Sequence, residues 1–201
     1  MSMLNIGNRE GRPSNARSAL TKIREGDIQP NAVDLRLGKV WEFRAYEGGD
    51  QSDNRSQHAF VLDEDHKGHL NRREVMPVFN WYEGHWASSW DDMQDEDGYF
   101  AIQPGRSYEI AYENEIEIKT GMAGFCIPRS TLIRNGVFVS GGLYDSGYSG
   151  PMGGLIINNS GFPFYVKPGT RIAQFLMFDA ETLHLYDGDY GKHDTRYYKE
   201  E

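Results

Sequence analysis

Residues 128–174 contain three polar segments set among short apolar runs, and these segments give the strongest indication of function in the sequence. The segments are Pro128-Arg129-Ser130-Thr131-Leu132, then Gly142-Leu143-Tyr144-Asp145-Ser146-Gly147-Tyr148-Ser149-Gly150, then Pro168-Gly169-Thr170-Arg171-Ile172-Ala173-Gln174. Guanidinium, hydroxyl and amide groups hold phosphate oxygens well, and a carboxylate between glycines can activate water. The combination favours a binding site for a nucleoside triphosphate.

Each segment taken alone also has an ordinary structural interpretation. Arg129 can pair with a surface carboxylate, and Ser130 can cap a helix over residues 131–134. Asp145 fits an Asp-Ser-Gly turn, and Arg171 fits a structural ion pair. Only the three segments together, in this order and spacing, favour a ligand site over these alternatives.

The sequence around these segments predicts short strands separated by glycine and proline. Val33, Leu35 and Leu37 alternate with polar residues, which is typical of a half-buried strand. Further strands are predicted at residues 108–112, 115–118, 124–127, 137–139, 155–157, 164–166 and 172–178. Many short strands at regular spacing indicate an all-β sandwich or barrel rather than a parallel sheet.

The two ends and the middle of the chain are different in character. Ser14 is a good N-cap for a short helix that carries Ala16, Leu20 and Ile23 on one face and stops at Gly26. Residues 47–98 form an acidic and aromatic insertion, with strands expected at 58–62 and 75–82 within a long surface excursion. Residues 179–201 form a polar C-terminal arm, and we interpret residues 1–201 as one domain.

Composition restricts the location and the partners. The chain has 201 residues and a formal net charge of −9, which disfavours binding to a nucleic-acid polymer. No apolar run is long enough to span a bilayer, so no membrane association is expected. The single cysteine, Cys126, excludes an intrachain disulfide, and we expect a cytoplasmic protein.

Four ordered motifs make the chain resemble the dUTPase and dCTP deaminase superfamily. Asn31-Ala32-Val33-Asp34-Leu35-Arg36-Leu37-Gly38 is similar to its first motif in the deaminase-like spelling, and Phe100-Ala101-Ile102-Gln103-Pro104-Gly105 resembles the lead-in to the second. The three segments of residues 128–174 resemble the second, third and fourth motifs. The resemblance covers more than half of the chain, although not the insertion.

This resemblance implies a fold, an assembly and a bound metal. The expected fold is all-β, a distorted β-barrel or jelly roll of the dUTPase-like type with a short N-terminal helix. The expected assembly is a homotrimer with active sites at the subunit interfaces. The expected cofactor is Mg²⁺ on the triphosphate of the substrate, which Asp34 would hold through water only.

The resemblance also implies roles for individual residues. Asp145 would be the base that activates water and would contact the 3'-hydroxyl, and Tyr148 would lie beneath the deoxyribose. The remaining expected substrate-binding residues are phosphate ligands, a glycine of the base-binding hairpin and two residues of the C-terminal arm: Arg129, Ser130, Arg134, Gln174, Gly142, Tyr190 and Lys192.

One position separates the two chemistries of this superfamily. The catalytic glutamate of the deaminases aligns with Leu155, which cannot shuttle protons to a cytosine ring. The sequence therefore favours dUTP pyrophosphohydrolysis, which yields dUMP and pyrophosphate. The alternatives are dCTP deamination in a rearranged site, and a non-enzymatic relative that binds a nucleotide, or binds a partner protein through residues 81–90.

Overall fold

A computed structural model of the chain describes residues 16–44, 71–75, 81–82, 85–86 and 98–188. Two short helices, α1 (Ala16–Ala19) and α2 (Ser130–Arg134), accompany a 3-10 turn at Glu25–Asp27. The strands in chain order are β1 (Val33–Arg44), β2 (Asn71–Glu74), β3 (Trp81–Tyr82), β4 (His85–Trp86), β5 (Phe100–Ile102), β6 (Ser107–Glu117), β7 (Met122–Pro128), β8 (Val137–Ser140), β9 (Leu143–Tyr144), β10 (Ser149–Asn158), β11 (Phe164–Val166) and β12 (Arg171–Asp179).

One antiparallel sheet of eight strands forms the body of the protein. Its order is β8-β10-β6-β1-β12-β7-β9, with β2 added alongside β1. The edge strand β8 also lies against β7, near the opposite edge, so the sheet curls towards a partly closed barrel. The all-β, barrel-like fold predicted from the sequence is confirmed.

Strand β1 connects the two halves of this sheet. Its first residues pair with β12, and from Leu37 onward it pairs with β6. The register shifts between Leu35 and Arg36 and again before Lys39, where β1 passes from one neighbour to the other. Such bulges bend a strand and increase its twist, which allows the sheet to curl.

The core lies on the concave side of the curled sheet. Val33, Leu35 and Leu37 are fully buried, as the alternating pattern of β1 predicts. Other large side chains without exposed surface come from the strands around them, namely Ile110, Met152, Ile156, Ile172 and Phe175. Cys126 is buried here too, and burial raises the pKa of its thiol to about 12, so the thiol stays protonated at neutral pH.

The N-terminal helix is present but shorter than the sequence pattern predicts. It ends at Ala19 because the next residues pair with β6: Leu20 forms a bridge to Ile116, and the Thr21 amide donates to the Glu115 carbonyl at 2.9 Å. The predicted cap, Ser14, lies outside the described residues. Among the described residues, no helix is both long and apolar enough to cross a membrane.

Several strand boundaries differ from the predictions. The predicted strands at 108–112 and 115–118 belong to one strand, β6, because the polar segment between them is held in place by the buried Asn114, whose side chain accepts from the Arg36 amide at 3.4 Å and donates to the Thr21 carbonyl at 2.8 Å. In the insertion, the predicted strand at 75–82 is wrong at its start, because β2 ends at Glu74, while Trp81–Tyr82 do form a strand, β3; residues 76–80 lie outside the described residues. The strand predicted at 58–62 lies outside the described residues.

A buried ion pair fastens the 3-10 turn to the sheet. Asp27 has no exposed surface and accepts hydrogen bonds from Arg36 Nη2 at 2.6 Å and Nε at 3.1 Å, and from the Arg24 amide at 2.9 Å. Arg36 Nη1 also donates to the Gly169 carbonyl at 2.7 Å, which ties in the turn before β12. Burial raises the pKa of the Asp27 carboxyl, but these hydrogen bonds lower it by more, so the pKa lies below its ordinary value.

Replacing Gly154 by alanine should destabilise the sheet. A Cβ at Gly154 would overlap the carbonyl oxygen of Ser140 on β8, and a backbone atom cannot swing aside. We expect Gly154→Ala to lower the free energy of unfolding by about 1–3 kcal/mol, as overpacking does. Urea denaturation measures this change. Gly161→Ala is the control, because nothing lies within 4 Å of its added Cβ; equal stability of the two variants would contradict the prediction.

The lowered pKa of Asp27 predicts a pH-dependent contribution to stability. A carboxyl whose pKa is lower in the folded state stabilises the fold above its unfolded pKa, about 3.9, and loses that contribution as the pH falls through the folded value. Asp27→Asn should therefore be less stable than the wild type at pH 6, and the difference should shrink at pH 3. Urea midpoints at the two pH values measure this, with the exposed Glu25→Gln as control. A difference that does not change with pH argues against the prediction.

Candidate active site

A fully buried carboxylate, Asp34 of the first motif, contacts side chains from the second and fourth motifs. Arg129 Nη1 lies 3.2 Å and Arg171 Nη1 lies 3.3 Å from Asp34 Oδ2. Gln174 Nε2 donates to Asp34 Oδ1 at 3.1 Å. We call these four residues the Asp34 cluster.

The strand pairing explains why these residues meet. Asp34 lies directly across from Gln174 in the β1–β12 ladder. Side chains alternate between the faces of a strand, so Asp34 points away from the buried neighbours Val33 and Leu35. Arg129 follows the last residue of β7, which pairs with β12 one position from Gln174. Arg171 begins β12 and also donates from Nη1 to the Gly26 carbonyl at 2.7 Å.

The Asp34 cluster suits an anionic ligand. It holds two guanidinium groups and one carboxylate, so its formal charge is positive. The Asp34 side chain has no exposed surface, whereas those of Arg129 and Arg171 are 29% and 35% exposed. The positive groups therefore face solvent with the negative group beneath them, and guanidinium groups bind phosphate oxygens strongly.

The other two predicted phosphate ligands lie on helix α2. Ser130 is its first residue and Arg134 its last, and both are exposed. The residue in the N-cap position is Arg129, so the alternative that Ser130 caps this helix is wrong. Arg129, Ser130 and Arg134 thus follow one another on the short segment that leaves β7.

Asp145 lies in a tight hairpin and is exposed. The Tyr148 amide donates to the Asp145 carbonyl at 3.0 Å, which closes the turn. Gly147 has a φ of 88°, a left-handed conformation that favours glycine. The neighbouring Ser146 is buried, and its hydroxyl donates to the Met122 carbonyl at 2.6 Å, which fixes the hairpin to the beginning of β7.

Tyr148 lies at the end of this hairpin, with only 7% of its surface exposed. Its hydroxyl donates to the Pro151 carbonyl at 2.5 Å. Its ring meets those of Tyr144 and Tyr186 edge to face, with centroids 5.5 and 5.2 Å apart. The role expected for Tyr148, a support beneath a sugar, stays a prediction.

The described part of the C-terminal arm packs on the same hairpin. The hydroxyls of Thr182 and Ser146 are 2.7 Å apart, and the Tyr186 amide donates to the Ser146 carbonyl at 2.8 Å. A Cβ at Gly147 would meet the side chain of Leu185 at 3.2 Å. The two arm residues predicted to bind substrate, Tyr190 and Lys192, lie outside the described residues.

The Asp34 cluster and Asp145 lie at opposite ends of β7. Arg129 directly follows its last residue, Pro128, whereas Ser146 binds the carbonyl of its first residue, Met122. An extended strand rises about 3.3 Å per residue, so the two ends are about 20 Å apart. The candidate site within one chain therefore consists of two separate halves.

Two further positions are predicted to lie near the base of a bound nucleotide: Gly142 and Leu155. Gly142 is exposed in the connection between β8 and β9, and nothing lies within 4 Å of where its Cβ would be. Leu155 is half-buried in β10, directly opposite Glu109 of β6. Directly opposed residues share one face of the sheet, so a carboxylate does lie next to the position where a deaminase has its glutamate.

The described residues do not fit a magnesium site held by the protein. No group of three or more His, Cys, Asp or Glu side chains among them is placed to hold a metal ion. Asp34, the residue expected to act through water, has a fully buried side chain whose two oxygens already accept hydrogen bonds from Arg171 and Gln174 and which forms an ion pair with Arg129.

Sequence reasoning missed some residues of this arrangement. The motifs do not decide whether Arg171 binds a ligand or forms a structural ion pair, and the structure shows an ion pair with Asp34. The contribution of Thr182 has no signal in the sequence, because a lone threonine in a polar arm is common. The sequence does not predict that the ring of Tyr186 contacts that of Tyr148.

Comparisons with known proteins agree with the motifs. A family model described as dCTP deaminase-like matches residues 12–180. The chain is 29% identical over 176 residues to a probable deoxyuridine 5'-triphosphate nucleotidohydrolase of Methanopyrus kandleri, covering 88% of this chain and 95% of that protein. It is 30% identical over 168 residues to the corresponding probable nucleotidohydrolase of Halobacterium salinarum, covering 84% of this chain and 85% of that protein.

A solved structure supports the same fold. The 2'-deoxycytidine 5'-triphosphate deaminase of Agrobacterium tumefaciens matches with a TM-score of 0.55 over 90% of this chain and 49% of that chain. The sequence identity is 17%, so this similarity concerns the fold alone. With the family match extending over most of its length, the chain belongs to the dCTP deaminase-like family, within the dUTPase and dCTP deaminase superfamily.

Proposed function

We propose that this protein is an enzyme that hydrolyses dUTP to dUMP and pyrophosphate. The observation that carries the proposal is the Asp34 cluster, in which Arg129, Arg171 and Gln174 converge from motifs far apart in the sequence. Relatives named as dUTP nucleotidohydrolases match most of the chain, which supports the same substrate.

In the proposed reaction, Asp145 acts as the general base. Its carboxylate takes a proton from a water molecule, whose oxygen attacks the α-phosphorus. The bond from the α-phosphorus to the oxygen that bridges to the β-phosphate breaks, and pyrophosphate leaves with the bonding electron pair. An exposed carboxylate on a turn that is held by Ser146 and Gly147 suits this role, because it can reach a ligand outside its own chain.

The cationic half of the site would hold the triphosphate. Arg129 and Gln174 belong to the Asp34 cluster, while Ser130 and Arg134 lie on the adjoining helix α2. Positive groups on phosphate oxygens stabilise the charge that accumulates when pyrophosphate leaves. These residues would therefore bind the substrate and lower the barrier together.

The two halves can form one site only if they come from different copies of the chain. Their separation along β7 supports a homo-oligomer, which we propose to be a homotrimer. Three exposed apolar side chains lie between the two halves: Phe125 and Ile127 on β7, and Leu143 opposite Phe125 on β9. A second copy covering this face would remove apolar surface from water and bring its own Asp145 towards Arg129.

Magnesium enters this proposal as part of the substrate. Because the described residues do not fit a protein-held metal, we propose that Mg²⁺ arrives bound to the phosphate oxygens of dUTP. The protein residues would then recognise the magnesium–dUTP complex through the phosphates. The proposed roles of the side chains therefore do not require any of them to coordinate a metal ion.

A second candidate reaction, dCTP deamination, is favoured by one specific observation. Glu109 lies directly opposite Leu155, so a carboxylate neighbours the position of the deaminase glutamate. Leu155 itself has no proton to donate, and the relatives compared over most of their length are named as dUTP nucleotidohydrolases. Hydrolysis of dUTP is therefore the better-supported reaction.

We also propose that the protein is cytoplasmic. Its single cysteine is buried, and burial raises the pKa of that thiol, so Cys126 is poorly suited to form disulfides. A chain without structural disulfides is compatible with a reducing compartment. Fractionation of the native host cell would check this location.

The substrate proposal predicts selective release of pyrophosphate from dUTP. The purified protein with Mg²⁺ would be incubated separately with dUTP, dCTP, UTP and dTTP, and both pyrophosphate and ammonia would be measured. We expect pyrophosphate from dUTP and no ammonia from dCTP. Ammonia from dCTP would instead establish the deaminase, and the absence of both products with bound nucleotide would indicate a non-enzymatic relative.

The mechanism predicts that Asp145→Asn loses turnover while it keeps nucleotide binding. Removing a general base lowers kcat by about 100- to 10,000-fold, while the phosphate contacts stay in place. Single-turnover hydrolysis and calorimetric binding of dUTP measure the two effects. Glu117→Gln, an exposed carboxylate at the end of β6, is the matched control and should keep its activity. Normal turnover in Asp145→Asn would refute the assigned base.

A site shared between copies predicts complementation of two inactive variants. Arg129→Ala and Asp145→Asn would be inactive alone, but mixed oligomers contain some sites that take each intact half from a different copy. Random mixing in equal amounts should restore about a quarter of the wild-type rate. Co-refolding of the two variants followed by the pyrophosphate assay measures this recovery. If both residues served a site within one chain, mixing would restore nothing.

A further inference from the structure

We propose that Asp34 is a positioning residue that assembles Arg129, Arg171 and Gln174 into a single triphosphate-binding surface, and that it does not serve magnesium. The same proposal makes Arg171 a second phosphate-binding cation of the site. It rests on the proposed function only in naming dUTP as the natural ligand, because the cluster itself would recognise any triphosphate chain.

Both oxygens of the Asp34 carboxylate already have partners within the protein. Oδ2 accepts a hydrogen bond from Arg171 Nη1 and forms an ion pair with Arg129 Nη1 at 3.2 Å, and Oδ1 accepts from Gln174. The side chain has no exposed surface, so a water molecule of a hydrated ion cannot reach it without displacing one of these partners. A carboxylate that served magnesium through water would have to face the ligand, and Asp34 lies beneath the residues that do.

Asp34 also holds two positively charged side chains close together. Guanidinium groups repel each other, yet both of these share one carboxylate oxygen. The negative charge of Asp34 offsets that repulsion and holds both groups within 3.3 Å of one oxygen atom. Without it, the two long side chains would separate and sample many rotamers, and ordering them again would weaken ligand binding.

The contacts of Arg171 with Asp34 and Gly26 use only its Nη1 atom and leave other N–H donors for a ligand. The two N–H groups of its Nη1 point to Asp34 and to the Gly26 carbonyl. A guanidinium has five N–H donors, so these contacts leave the Nε and Nη2 donors for other partners. With 35% of the side chain exposed, Arg171 is placed to bind an anion rather than only to neutralise Asp34.

Charge and positioning predict opposite effects of the isosteric substitution Asp34→Asn. Loss of one negative charge makes the cluster more positive, so charge alone would strengthen anion binding. Loss of the carboxylate that orients two guanidinium groups would weaken it. The direction of the change therefore identifies the role of Asp34.

Inorganic tripolyphosphate in the presence of EDTA is the probe that separates these effects, because it contains neither a metal nor a nucleoside. Isothermal titration calorimetry would compare the wild type with Asp34→Asn. We expect affinity for tripolyphosphate to fall by at least about tenfold, the size of one well-oriented charged hydrogen bond. Unchanged or tighter binding would overturn the proposal. This result does not depend on which nucleotide the enzyme hydrolyses, so it remains informative if the dUTP assay fails.

A magnesium titration provides the second measurement. The rate of dUTP hydrolysis would be recorded against Mg²⁺ concentration for both proteins. A positioning role predicts a raised KM for dUTP and an unchanged midpoint for Mg²⁺. A shifted Mg²⁺ midpoint together with normal tripolyphosphate binding would show that Asp34 serves the metal after all.

Asp27→Asn is the matched control for loss of a buried, arginine-paired carboxylate. Asp27 is fully buried like Asp34 and its negative charge is also felt by Arg171, but its hydrogen bonds go to Arg36 and the Arg24 amide and not to any residue of the cluster. We expect it to lower stability without a comparable loss of tripolyphosphate binding, and an equal loss would assign the effect to general destabilisation. If Asp34→Asn does not fold, Arg171→Gln tests the cluster directly: it should weaken tripolyphosphate binding, and unchanged affinity would remove Arg171 from the site.

Discussion

The antiparallel pairing of β1 with β12 is the constraint on which the candidate site depends. It places Asp34 opposite Gln174 and so puts a carboxylate under a protein surface. A buried charge without partners costs several kcal/mol, and removing one partner of a buried ion pair costs about 3–5 kcal/mol. The fold therefore needs cations at this position, and Arg129 and Arg171 supply them. The ion pairs of Asp34 thus contribute to the stability of the sheet and also orient both arginines.

How far the fold follows from the sequence depends on the range of the interactions involved. The alternation of Val33, Leu35 and Leu37 predicts β1 because side-chain periodicity is a local property. The length of β6 is not predictable in this way, since the buried Asn114 within it finds its hydrogen-bond partners at Arg36 and Thr21, which are distant in the sequence. The N-terminal helix ends early for a similar reason: Thr21 hydrogen-bonds to β6, which propensity cannot anticipate.

The same distinction applies to the candidate site. Ordered motifs predict Arg129, Asp145 and Gln174 as site residues, because the chemistry of phosphate binding restricts which side chains serve it. They do not reveal that Asp34 lies beneath two arginines, since burial follows from the register of β1 on β12. The motifs also do not predict the contact of Thr182 with the hairpin, because that contact depends on the path of the C-terminal arm over the surface.

The geometry of β7 finally links assembly to activity. A seven-residue strand is stiff and extended, so it cannot fold back to bring its two ends together. One end carries the cationic groups and the other carries the hairpin of Asp145, which is locked to the strand through Ser146. In the site we propose, a single copy would hold both halves rigidly but too far apart to act on one substrate. Covering the apolar face around Phe125 in an oligomer would then stabilise the assembly and complete the site in one step.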